Sequence, residues 1–92
     1  MGDMALAQTV TILNKRGLHA RASAKFVTLA SRFNAQVTVS KDGSDVVGTS
    51  IMGLMMLAAA IGEEIRIAAS GPEAPQALAS LVALVEAKFE ED

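Results

Sequence analysis

The 92-residue sequence has no cysteine, no tryptophan and no tyrosine, and its three aromatic residues are all Phe. Without thiols there is no disulfide scaffold, zinc ribbon or thiol nucleophile. A single histidine, His19, leaves too few borderline ligands for an ordinary zinc site, so neither a metal nor another cofactor is expected. Eight Lys+Arg stand against ten Asp+Glu, and with almost no rings the basic, stacking surface of a nucleic-acid binder is missing. Met1–Ala5 carries no basic stretch of the secretory kind. Leu6 stands where a myristoylation signal needs Ser or Thr. The longest uncharged apolar run, Ile51–Ile61, falls well short of the ~20 residues of a membrane span. A cytoplasmic chain without nucleic-acid or membrane partners is expected.

What is abundant is aliphatic. The sequence is 51% hydrophobic and 20% charged, with a formal net charge of -2, which supplies core material and excludes intrinsic disorder. The length suits one domain over residues 1–92, with residues 1–6 read as a frayed lead-in. No repeat, linker or low-complexity tract interrupts it.

Gln8–Leu13 alternates polar and apolar residues, placing Val10 and Ile12 on one face and Thr9 and Thr11 on the other, the period of a half-buried strand. Asn14–Gly17 reads as a polar loop. From Ala20 to Ser31, the residues Ala20, Ala24, Val27 and Ala30, flanked by Phe26 and Leu29, recur at helical spacing, with Arg21, Lys25 and Arg32 elsewhere on the helix. Gln36–Lys41 and Ser44–Gly48 flank Asp42-Gly43, a strong hairpin signal. Ser50 is a natural N-cap for a short helix Ile51–Leu57. Glu63–Ala69 predicts another strand with Ile65 and Ile67 inward. After Gly71-Pro72, Pro75 suits the first turn of a helix running to about Phe89. In that helix Leu78, Leu81, Val82, Val85 and Phe89 form the apolar stripe, and Glu86, Lys88 and Glu90 face water. Four strands and three helices predict an α+β fold: a four-stranded antiparallel sheet with the helices on one face, an open-faced β-sandwich.

His19 stands directly before the first helix. A helix start exposes unpaired N–H groups and the positive end of the helix dipole, which favour a bound anion and disfavour an imidazolium. Arg21 adds a guanidinium suited to phosphate oxygens. The local chemistry fits a phosphoryl group held on His19; an exposed histidine that merely caps the helix fits as well. The spacing around Ser50 lacks the second glycine of a serine-hydrolase elbow. Every residue from Ile51 to Leu57 except Gly53 is apolar, so one side of this helix must stay exposed. Leu54 and Leu57 are assigned inward, and Ile51, Met52 and Met55 outward, where flexible thioethers suit several partners.

Two stretches carry a resemblance. Gly17-Leu18-His19-Ala20-Arg21-Ala22-Ser23 resembles the active-site signature of the histidine-containing phosphocarrier (HPr) family of the bacterial phosphoenolpyruvate-dependent phosphotransferase system. Ser50-Ile51-Met52-Gly53-Leu54-Met55 resembles that family's second signature, around a regulatory serine. The separation of the two motifs, the element order and the length fit over roughly residues 7–89. Where the family commonly has proline, this chain has Ala22.

The resemblance implies a phosphocarrier that is not itself an enzyme. Phosphorylated Enzyme I would place a phosphoryl group on Nδ1 of His19, and an enzyme IIA-type acceptor would take it for sugar transport. Arg21 and the Ala20 and Arg21 backbone N–H groups would steady the transferred charge. Ser50 would be phosphorylated by an HPr serine kinase/phosphorylase, and Ile51, Met52, Met55 and Ala24 would dock partners. The chain is expected to act as a monomer. Two alternatives stay open: a nitrogen-branch phosphocarrier, and a non-phosphorylated regulatory module of the same fold.

Overall fold

Alternation of β-branched and polar residues sets up the strands, and their order follows from how the apolar faces combine. In a computed structural model that describes residues 5–91, the strands are β1 (Leu6–Thr11), β2 (Gln36–Lys41), β3 (Ser44–Val47) and β4 (Glu64–Ser70). They form one antiparallel sheet in the order β1-β4-β2-β3. The register aligns Val10 with Ile65, Val39 with Ile67 and Val37 with Ala69, all buried on one face. Thr9 and Ser40 both oppose Arg66 on the other, polar face. Asp42 and Gly43 take φ of 50° and 83°, as the tight hairpin between β2 and β3 requires.

Three helices cover the apolar face: α1 (Ala20–Ala30), α2 (Ile51–Met56) and α3 (Ala74–Glu86). Helix α3 lies against β1 and β4, and α1 packs on α2 and α3. The open-faced α+β sandwich is therefore as expected. Leu54 and Leu57 are buried, whereas Ile51, Met52 and Met55 are 40%, 70% and 40% exposed, matching their assignment. Pro75 lies in the first turn of α3.

Three expectations are corrected. Strand β1 begins at Leu6, which pairs with Ala69, and ends at Thr11, so the lead-in to residue 6 is too long; residues 1–4 lie outside the described residues. Pairing there depends on backbone partners in β4, which outer-face alternation in Gln8–Leu13 does not reveal. Helix α1 buries Ala22, Ser23, Phe26 and Ala30, with Ala20 exposed and Ala24 half-buried. In an alanine-rich helix several faces look apolar, and Phe26, fully buried with Ala22 and Ala30 one turn away on either side, selects the one that packs. Helix α3 stops at Glu86 rather than Phe89. Lys88, Phe89 and Glu90 take φ of 57°, 55° and 63°, a left-handed turn that costs roughly 1–2 kcal/mol per non-glycine residue. Full burial of Phe89 and a 2.8 Å hydrogen bond from Lys25 Nζ to the Phe89 carbonyl oppose that cost. Phe89 thus reaches the core from outside the helix, while Glu86, Lys88 and Glu90 are exposed as expected.

Leu54→Asp should unfold the domain, because it buries a carboxylate in the core. Ile51→Asp should leave the chemical-denaturation midpoint nearly unchanged. Denaturation curves that rank the two the other way would overturn the orientation of α2.

Candidate functional site

The loop before α1 is pinned from below. Gly17 has φ of +66°, and a Cβ there would meet the Ala59 carbonyl oxygen at 2.2 Å. Leu18 is buried, and its N–H donates to that same carbonyl at 2.9 Å. Asn14, also buried, donates from Nδ2 to the Gly17 carbonyl at 2.9 Å. Ser23 Oγ donates to the Leu18 carbonyl at 3.3 Å. With Leu18 drawn into the core, the next residue emerges at the surface as the N-cap of α1.

That residue is His19, in extended backbone geometry (φ -78°, ψ -178°), its side chain 22% exposed. Its carbonyl accepts the Ser23 N–H at 2.9 Å, the first bond of the helix. Its Nδ1 accepts the Arg21 N–H at 3.2 Å, and its Nε2 lies 2.5 Å from Oε2 of Glu91. A nitrogen facing an N–H must offer a lone pair, and a nitrogen facing a carboxylate carries a proton. The partners therefore assign the neutral ring as the Nε2–H tautomer, with its lone pair on Nδ1.

Arg21 is exposed and shares a cleft with Lys15, Arg16, Lys25, Glu90 and Glu91. Ala20, between His19 and Arg21, is exposed. Glu91 also accepts from Asn14 Nδ2 at 3.1 Å on its other oxygen. Burial alone pushes the Glu91 carboxyl up. Hydrogen bonds from Asn14 and His19, together with the nearby Arg16 cation, outweigh it and hold the group below the ordinary glutamate value. Asn14 and Glu91 have no counterpart among the residues singled out in the sequence. Asn14 reads there as a loop former, and Glu91 lies 72 residues from His19, so no local signal connects them.

Ser50 is the N-cap of α2 and accepts the Gly53 N–H at 2.9 Å. Ile51, Met52 and Met55 are exposed, joined by Met56 at 78%. Ala24 lines a groove on α1 with Arg21, Lys25 and Thr28. Helix α2 packs on α1, so the apolar patch and the histidine belong to adjoining helices. A larger cleft between the β2–β3 hairpin and the start of β4, lined by Lys41, Glu63 and Arg66, contains none of these residues. Among the described residues no helix is long and apolar enough to cross a membrane, and no cluster of His, Asp and Glu could hold a metal ion.

Comparison with known proteins returns one family. The sequence model of the PTS HPr component, described as its phosphorylation site, matches residues 6–87. The phosphocarrier protein HPr of Cupriavidus necator is 48% identical over 86 residues, covering 94% of this chain and 97% of the relative. The phosphocarrier protein NPr of Shewanella violacea is 43% identical over 86 residues, 94% of each chain. The crystal structure of HPr-C-His from Thermoanaerobacter tengcongensis superposes with a TM-score of 0.90 at 42% identity, covering 95% of this chain and 98% of that one.

Gly17→Ala should both destabilise the domain and displace His19, since a side chain there meets a backbone oxygen and a left-handed φ together. A loss of at least ~1 kcal/mol in denaturant unfolding is expected. Changed amide shifts at Ala59 and His19 should accompany it. Wild-type stability would show that the loop is not pinned in this way.

Proposed function

The chain belongs to the HPr family of phosphotransferase-system phosphocarriers, and from that premise we propose that it accepts a phosphoryl group from phosphorylated Enzyme I on His19 and passes it to an enzyme IIA-type acceptor. The observation that carries the reading is the setting of the His19 ring: partly exposed at the start of α1, with Nδ1 accepting the Arg21 N–H and Nε2 against the Glu91 carboxylate, a pattern that fits the Nε2–H tautomer. Nδ1 attacks phosphorus as the P–N bond to the donor's imidazole breaks, and the bonding pair leaves with the donor. In onward transfer the Nδ1–P pair returns to the His19 ring. The donor is an already activated phosphoramidate, so this exchange requires no metal on the carrier. The Arg21 N–H that Nδ1 now holds, the Ala20 N–H and the Arg21 guanidinium would then serve the phosphoryl oxygens. The protein is consumed and regenerated as a co-substrate, and is not an enzyme.

Docking is assigned to Ile51, Met52 and Met55, an exposed apolar face of α2 suited to the buried centre of an interface, and to Ala24 on the adjoining α1. The same reading has the carrier working as a monomer in the cytoplasm. Similarity to a relative named NPr at 43% identity favours a second reading, a carrier of the nitrogen branch, which differs in its acceptor rather than in its chemistry. A regulatory module that carries no phosphate is the remaining alternative.

The test is incubation with Enzyme I and phosphoenolpyruvate, read by intact mass. One acid-labile phosphate on wild type and none on His19→Ala, with equal melting temperatures, is expected. Phosphate retained on His19→Ala would move the site elsewhere, and none on wild type would favour the regulatory module. Loading of enzyme IIA from the sugar and nitrogen branches in parallel then separates the two carriers.

Ser50 is proposed as a regulatory site for a serine kinase/phosphorylase. A phosphate there adds about -1.5 to -2 charge at a helix start that tolerates it, so the fold should hold. The same charge beside Ile51 and Met52 should oppose docking. Phosphorylated protein should therefore accept phosphate at His19 more slowly than wild type, with Ser50→Asp in between. Equal rates for all three would leave Ser50 as a helix cap only.

A further inference from the structure

Helix α3 ends one turn short of the buried Phe89, and the left-handed residues Lys88–Glu90 turn the chain back toward the start of α1. The turn is fastened at three points. Phe89 is fully buried, Lys25 Nζ holds the Phe89 carbonyl at 2.8 Å, and Glu91 reaches the His19 loop. Glu91 is not a loose surface partner there, since its side chain is only 18% exposed and both of its oxygens are engaged. Oε1 takes the Asn14 amide at 3.1 Å and Oε2 takes His19 Nε2 at 2.5 Å. Asn14 is itself fixed by the 2.9 Å bond to the Gly17 carbonyl.

The chemistry of the ring gives this clamp a purpose. An imidazole that carries its proton on Nδ1 has no lone pair there and cannot attack phosphorus from that atom. One that carries it on Nε2 can. When Nδ1 of the Nε2–H form bonds to phosphorus, the ring keeps its Nε2 proton and takes on a positive charge. When the Nδ1–P bond breaks in the next transfer, the electron pair returns and the ring is neutral again. No proton needs to move in either direction, provided that the Nε2 proton is held throughout. A carboxylate on that proton selects the reactive tautomer, sets the ring plane and offsets the charge that appears with the phosphoryl group.

We propose that Glu91, oriented by Asn14, is the positioning residue for His19, holding the Nε2 proton so that Nδ1 stays unprotonated and able to take and give up a phosphoryl group. The proposal rests on the reading of His19 as the phosphoryl acceptor and adds to it a residue that lies outside both sequence signatures.

The experiment uses the full chain as wild type, Glu91→Gln and Glu91→Ala, with melting temperatures recorded to confirm that each folds. Nitrogen-15 NMR of the unphosphorylated His19 ring requires no transfer chemistry. Wild type should show a proton on Nε2 protected from water exchange and a bare Nδ1, and Glu91→Ala should lose the protection. In rapid-mixing phosphorylation by phosphorylated Enzyme I, Glu91→Ala should lose roughly tenfold in maximal rate, as expected for one charge-assisted hydrogen bond. The Enzyme I concentration at half-maximal rate should not change, because Glu91 acts on the ring and not on docking. Glu91→Gln, which keeps an acceptor but not the charge, should fall between. An unprotected Nε2 proton in wild type, or equal maximal rates with and without Glu91, would overturn the proposal while leaving the carrier intact. A protected proton on a protein that takes no phosphate from Enzyme I would instead overturn the carrier reading.

Discussion

The burial of Leu18 beneath a left-handed Gly17, with both residues held against the Ala59 carbonyl, governs the geometry of everything around His19. Glycine is required because any side chain would occupy the space of that oxygen. Leucine is required because an apolar anchor converts a polar loop into a fixed one. Once Leu18 is drawn inward, His19 is the first residue to emerge, its carbonyl starts α1, and its ring is set between the Arg21 N–H and Glu91. The site is thus built on the core rather than on the flexibility of a loop.

Around that anchor the surface divides by chemistry. Lys15, Arg16, Arg21 and Lys25, four of the eight basic residues of a chain whose net charge is -2, line one cleft. Against the two carboxylates of Glu90 and Glu91 in the same cleft they leave an excess of positive charge, in a molecule that is acidic as a whole. Helix α2 offers the complementary property: six residues, capped by Ser50, anchored by Leu54 and presenting methionine and isoleucine to solvent. Under the proposed reading, the charge would act on the phosphoryl group and the apolar helix would supply the area that an encounter with a protein must bury. Because α1 and α2 pack together, the two surfaces lie on adjoining helices.

The left-handed turn after α3 shows how a local cost is carried by tertiary contacts. Three consecutive non-glycine residues at positive φ would not hold that geometry in isolation. They do so because a buried phenylalanine and a lysine to its carbonyl hold Phe89, while a carboxylate clamped by Asn14 and His19 holds Glu91 just beyond the turn. The depressed titration of Glu91 has the same origin, as hydrogen bonds to the charged form outweigh its partial burial.

Much of the architecture was legible from local sequence signals. Alternation in the strands, Asp42-Gly43 at the hairpin, Ser50 as a cap and Pro75 in a first turn are local signals, each tied to a backbone geometry that only certain residues adopt. So were His19 at a helix start, with Arg21 two residues on, and the inward choice of Leu54 and Leu57 over their methionine neighbours. The packed face of α1 was not legible, because alanines on several sides look alike until Phe26 meets the rest of the core. Nor was the end of α3, since helical spacing continues through Phe89 while the chain does not. The contact between Glu91 and His19 was the least accessible of all. It joins residues 72 apart through a turn of unfavourable dihedrals, and such a pairing exists only once the whole sheet and its helices have brought the two segments together.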